Sequence, residues 1–192
     1  MPHQDVLIEY LKTRRSVTAP FLTTPGPTVA ELDQIMEIGI RVPDHGKIAP
    51  WRMVVYQGAM REAIGDKLAQ IWKEKHPEAD DEVLEVERKR FLPAPVTIGV
   101  LAKPQAHPKV PELEQMLSAG CVCFNLVHAA YAHGYAAHWV TRWFSFDADA
   151  AAMLGAEDGE QFVGFVHIGT AEVAPQERDR PNLRDVVSYW HE

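Results

Sequence analysis

The stretch from Pro111 to His133 constrains the fold more than any other part of the chain. Proline at the first helical turn, Glu112 and Glu114 beside it, and Gly134 just past the far end are start and stop signals for a helix. Between them Met116, Leu117, Val122, Phe124, Leu126, Val127 and several alanines leave little polar face. A helix that is apolar almost all round must be buried almost all round, as the spine of a domain or the seam of a dimer.

Shorter patterns flank this spine. Asp5 is placed to cap a first helix with Val6, Leu7, Tyr10 and Leu11 on one face. Thr28-Val-Ala-Glu31 has the form of a capping box, opening a second helix that Pro43 stops. Ile64, Leu68, Ile71 and Trp72 mark a third helix, and the charged run from Asp80 to Arg90 a fourth, largely solvated one. Strands are predicted from Met53 to Tyr56, Val96 to Ala102, Ala136 to Thr141 and Phe162 to Gly169, the second apolar enough to be covered on both faces. The order gives no clean βαβ alternation, repeat or linker. It predicts an α+β fold, a small mixed or antiparallel sheet flanked by helices, in one domain spanning residues 1–192. Val186, Val187, Tyr189 and Trp190 predict a C-terminal tail that docks rather than frays.

Composition narrows the partners. With 19 Lys and Arg against 27 Asp and Glu, the net charge of -8 argues against non-specific nucleic-acid binding. Cys121 and Cys123, two apart in an apolar run, fit neither a CxxC site nor a disulfide framework and read as two buried thiols. The first residues lack the basic-then-apolar pattern of a signal peptide, and no run reaches the roughly 18 apolar residues of a membrane span. A cytoplasmic protein with no membrane partner is expected.

No GxGxxG follows a strand, and neither GxxxxGK[ST] nor GxSxG occurs. His128, His133 and His138 are spaced by five, off the one-face spacing of a helix, and His167 in an apolar strand reads as a hydrogen-bonded core histidine; no metal is expected. Four segments stand out, each also open to a purely structural reading. Arg14, Arg15 and Ser16 end the first helix and could clamp a phosphate, or simply complement the helix dipole. Arg41-Val-Pro-Asp-His45-Gly, followed by Pro50-Trp51-Arg52, is a loop held by two prolines, with Gly46 able to approach a flat ligand closely. Ala136-Ala-His-Trp-Val-Thr141, a strand end with a small residue, an indole and a hydroxyl, could wall an aromatic cofactor or be an ordinary strand. Arg178 and Arg180, beyond Gly169-Thr170, could close over a phosphate or be a solvated charge run.

Taken in order, these segments, with Ser118-Ala-Gly-Cys121 and Gly164-Phe-Val-His-Ile-Gly-Thr170, resemble the nitroreductase family over almost the whole chain. The Pro-Asp-His-Gly loop resembles the compact branch of that family. The resemblance implies an intertwined homodimer with one FMN in each of two interface sites, fed by NADH or NADPH. It implies that Arg14, Arg15 and Ser16 hold the FMN phosphate and ribityl chain, with Arg180 and Arg178 adding charge. Arg41 and His45 would reach FMN from the other subunit, and Trp139, Val140 and Thr141 would line the isoalloxazine. Ala129, Ala130, Tyr131, Ala132, His133 and Gly134 lie where this branch takes its nicotinamide donor. Hydride would pass through FMN to an electron-poor acceptor by a ping-pong scheme, so no acid–base residue is expected and the catalytic chemistry sits on FMN. Arg41 or Arg142 would stabilise the reduced flavin. Enone reduction, dehalogenation and flavin binding without turnover are the rival activities on this scaffold. One departure is plain: a glycine often follows the position of Thr141, and here Arg142 and Trp143 stand there.

Overall fold

The computed structural model describes residues 4–191. The chain divides into a body, Ser16–Val173, and a terminal unit that joins the residues up to Arg15 with those from Ala174 onward.

In the body the sheet is antiparallel throughout. Strands β1 (Leu22–Thr23), β2 (Trp51–Gln57), β3 (Val96–Ala102), β4 (Ala136–Val140) and β5 (Gln161–Ala171) run in the order β1-β5-β3-β2, with β4 also on β5. Strand β3 is buried at every position, as its continuous apolar run demands. Helix α2 (Val29–Gly39) starts on the capping box: Glu31 N–H donates to Thr28 Oγ1, and Thr28 N–H to the Glu31 carboxylate. Together with α5 (Glu112–Ala132) it covers one sheet face, where Ile35, Val122, Leu126 and Val127 meet Ile98, Val166 and Ile168. Helices α3 (Met60–Lys75), α4 (Asp81–Arg88) and α6 (Ala148–Met153) lie toward the other face, over Phe91, Phe144, Phe162 and Phe165. Gly65 lets α3 and α4 close on each other, since a Cβ there would stand 2.0 Å from the Arg88 carbonyl oxygen.

Several expectations need correction. Helix α5 is not buried all round: Leu113, Leu117, Cys121 and Phe124 form an exposed stripe at helical spacing. Cys121 is therefore exposed while Cys123 is buried, because residues two apart on a helix point to nearly opposite sides. The fourth helix is largely solvated as expected, with Leu84 and Glu87 buried on its inner side. Asp5 lies inside α1 (Gln4–Thr13), in its first turn, not at its cap.

The terminal unit consists of α1, the short α7 (Leu183–Val186) and extended chain. It buries no residue of α1, and Val186, Val187, Tyr189 and Trp190 are exposed, against the expectation of a docked tail. Among the described residues no helix is long and apolar enough to cross a membrane.

Candidate functional site

The end of β4 builds one wall of a cavity of about 400 Å³, the size of a small-ligand site. Side chains alternate across a strand, so His138 and Val140 face this cavity, and Arg142 continues the wall just past the strand. His167 of β5, opposite His138 in register, also faces the cavity. Lys89 and Arg90, after α4, and Pro93 close another side, while Ala19 and Pro20 close a third.

The two imidazoles are neutral. His138 Nδ1 accepts the Ala19 N–H at 3.2 Å, which leaves its proton on Nε2. Burial, reinforced by the charge of Arg142, lowers its pKa. His167 is almost fully buried, bonded to Thr97 Oγ1 at 2.8 Å, and pushed down to about 3 by burial first and then by His138 and Arg142.

The cations differ in how far they are compensated. Arg90 is held in a fork by Glu87, at 3.0 and 2.6 Å, and Glu87 also accepts the Trp143 indole N–H at 2.7 Å. Lys89 pairs with Glu85 at 3.0 Å. Arg142 makes no ion pair among the described residues, and no carboxylate lines the cavity. The departure noted in the sequence thus divides into two roles. The Trp143 indole packs 5.0 Å from Trp72 and anchors Glu87, whereas Arg142 faces the ligand space.

The Pro-Asp-His-Gly loop belongs to the α5 side. Asp44 caps it by accepting the N–H groups of Ile48 and Ala49 at 3.2 and 2.9 Å, and this holds Lys47 and Ala49 at positive φ. Ser118 Oγ donates to the Pro43 carbonyl at 2.6 Å and accepts the Trp51 indole N–H at 3.1 Å, tying three of the sequence segments together. His45 is exposed, with Nδ1 2.7 Å from Glu114 of α5, and the Arg41 carbonyl accepts from Asn125 of the same helix. Arg41 and His45 therefore do not line this cavity.

Of the other expected residues, Val140 lines the cavity and Thr141 is exposed beside it. Trp139 points away, its indole packed against Gly164, where a Cβ would meet Nε1 at 2.0 Å. In the segment Ala129 to Gly134, Ala129 and Ala130 are sealed in the core, while Ala132 and Gly134 are open to solvent. In the terminal unit Arg15 and Arg180 converge on Glu177 Oε1, at 3.1 and 3.7 Å, and the Arg178 backbone N–H donates to the same atom at 2.8 Å. These contacts hold the Glu177 carboxyl below its ordinary range, the Arg178 N–H having the largest effect. Ser16 is half-buried at the start of the body.

Sequence reasoning missed His138, Lys89 and Arg90. The alternation from Ala136 to Val140 carried the signal for His138: if Trp139 faces one side of the sheet, His138 and Val140 share the other. Lys89 and Arg90 sit inside a charge run, and only the fully buried Phe91 beside them marks where that run turns inward.

An antiparallel sheet with a buried central helix on one face and a ligand-sized cavity on the other is the architecture of a known α+β class. A nitroreductase-like family protein from Bacillus cereus has this fold at TM-score 0.83 and 20% identity, covering 96% of this chain and 95% of its own. A nitroreductase with bound FMN from Bacteroides fragilis follows at TM-score 0.70 and 20% identity, covering 96% and 98%. The chain belongs to the nitroreductase family, a family of oxidoreductases, whose family model matches residues 11–170. It is 32% identical over 184 residues to "Putative NAD(P)H nitroreductase YdjA" of Escherichia coli K12, covering 95% of this chain and 98% of that one. A Haemophilus influenzae relative described as an NAD(P)H nitroreductase in the same terms is 35% identical, covering 93% and 96%.

Proposed function

We propose that the chain is an FMN-dependent NAD(P)H oxidoreductase, acting as a homodimer with all 192 residues serving one cofactor-binding domain. The observation that carries this reading is the cavity: apolar walls from Val86, Leu92, Pro93 and Val140 suit a flat ring, and the His138 Nε2–H supplies a donor. By their place in the family pattern, Arg14, Arg15 and Ser16 are assigned to the FMN phosphate and ribityl chain, with Arg180 and Arg178 adding charge. FMN, when bound, supplies hydride acceptance from the nicotinamide and hydride transfer to an electron-poor acceptor in ping-pong alternation. The chain's own task is orientation, exclusion of water and electrostatics.

Arg41 and His45 lie on the α5 side, and a second copy is what would bring them to a cavity. The exposed stripe of α5 supports this reading, with Leu113, Leu117 and Phe124 exposed by 68%, 61% and 50%. Contiguous apolar surface of this kind on a helix marks an interface. Leu117→Glu should halve the mass found by sedimentation. A wild-type monomer that retains FMN would overturn the dimer.

The cofactor, donor and redox competence are tested together by adding NADH or NADPH to the anaerobic protein and following visible absorbance. The yellow oxidised spectrum is expected to bleach and to return when a nitroarene or quinone is added. Colourless protein with no FMN-dependent rise in melting temperature would reject the cofactor. Yellow protein that neither nicotinamide bleaches would reject the reductase.

A further inference from the structure

We propose that Arg142 selects acceptors that carry an anionic group, such as a carboxylate on the aromatic ring. The inference rests on the reductase reading above and adds to it the class of substrate.

The charges around the cavity single out this residue. Arg90 is neutralised by its fork with the buried Glu87, and Lys89 by Glu85. His138 and His167 are neutral imidazoles, one accepting from Ala19 and the other bonded to Thr97. No Asp or Glu lines the space. The lining therefore carries about one uncompensated positive charge, that of the Arg142 guanidinium.

Its position suits an incoming ligand rather than a resident one. Arg142 is exposed and lies just beyond β4, whereas Val140 and His138 on the strand are half-buried. It is thus met early by a molecule entering the cavity. Its backbone is fixed: the Arg142 N–H donates to Ser145 Oγ at 3.3 Å, and the next residue, Trp143, is anchored on Glu87. A guanidinium carried on this backbone offers a carboxylate two parallel donors.

The test compares 4-nitrobenzoate with 4-nitrobenzamide, two acceptors of like shape and unlike charge. Their intrinsic reactivities differ, so the quantity read is the ratio of their kcat/KM values in each protein. Arg142→Gln is expected to lower the benzoate-to-benzamide ratio about tenfold, the size of a single charge-assisted contact. Arg142→Lys should retain part of the preference, and raising the ionic strength should shrink the wild-type ratio because the cation is exposed. Equal ratios in wild type and Arg142→Gln would overturn the proposal, as would a ratio that salt does not move. If neither acceptor is turned over, the reductase reading fails instead. Calorimetric binding of benzoate against benzamide then decides the anion preference: tighter benzoate binding that Arg142→Gln abolishes supports it, and equal binding rejects it.

Discussion

Phe91→Ala is expected to lower stability by about 4 kcal/mol, the cost of emptying a fully buried phenylalanine site. The ring is 0% exposed and forms the hub of the aromatic cluster beneath the cavity. Its centroid lies 5.1 Å from Tyr56, 5.7 Å from both Phe144 and Phe165, and 6.0 Å from His167. The Tyr56 and Phe165 contacts are edge-to-face, which adds an electrostatic preference to the buried area. These neighbours sit on β2 and β5 and just past β4, each fixed by its own strand or turn, so the gap cannot close by collapse of one side. For a chain of this size the loss corresponds to a fall in melting temperature of about 8–16 °C. Phe91→Leu, which refills part of the volume, should recover more than half of it. A melting temperature within about 2 °C of wild type would show that the cluster relaxes around the hole. Phe91 also joins Lys89 and Arg90 on one side to Leu92 and Pro93 on the other, all lining the cavity, so flavin retention should fall with stability.

How far the sequence revealed this arrangement depended on the kind of signal. Local signals translated well. The Thr28–Glu31 capping box is present as written, and the apolar run from Val96 to Ala102 is a fully buried central strand. Helix α5 runs from Glu112 to Ala132, inside the limits set by Pro111 and Gly134. What periodicity could not supply was the distinction between surface covered by the chain's own sheet and surface left for another molecule. Leu117 and Leu126 look alike in the sequence, yet one is 61% exposed and the other fully buried. Long-range polar contacts were equally invisible. Gln115 is buried and bonds the backbone of Gln105 and Val110, and no local pattern distinguishes it from a solvated glutamine.

The candidate site shows the same division. Motif order brought forward Arg14, Arg15, Ser16, Arg41 and His45, because they match the family pattern in order and spacing. The residues that line this chain's cavity were obscured by their surroundings: Lys89 and Arg90 by a charge run, His138 by the more conspicuous Trp139. Arg142 and Trp143 were legible as a departure but not as a division of labour. Only the geometry separates a guanidinium facing the cavity from an indole serving as an anchor.

That anchor leads to the second large effect. Glu87→Gln should destabilise the protein by about 3 kcal/mol, at the lower end for breaking a buried ion pair from one side. Glu87 is 2% exposed and accepts three hydrogen bonds, two from Arg90 and one from Trp143. The amide keeps the shape but removes the charge, and it can no longer accept on both arms of the fork. Arg90, only 23% exposed at its side chain, is left without a counter-charge. The loss should appear as a melting temperature about 6–12 °C lower. Glu87→Leu combined with Arg90→Met provides the discriminating control, because removing both charges removes the desolvation penalty along with the attraction. That double variant should be far closer to wild type than Glu87→Gln, and a double variant as unstable as the single one would mean that packing, not charge, is what Glu87 supplies. The remaining amide oxygen can still accept the Trp143 indole N–H, so the indole keeps its anchor while Arg90 loses one arm of its fork. With Arg90 uncompensated in the cavity lining, Glu87→Gln should raise the benzoate-to-benzamide ratio rather than lower it.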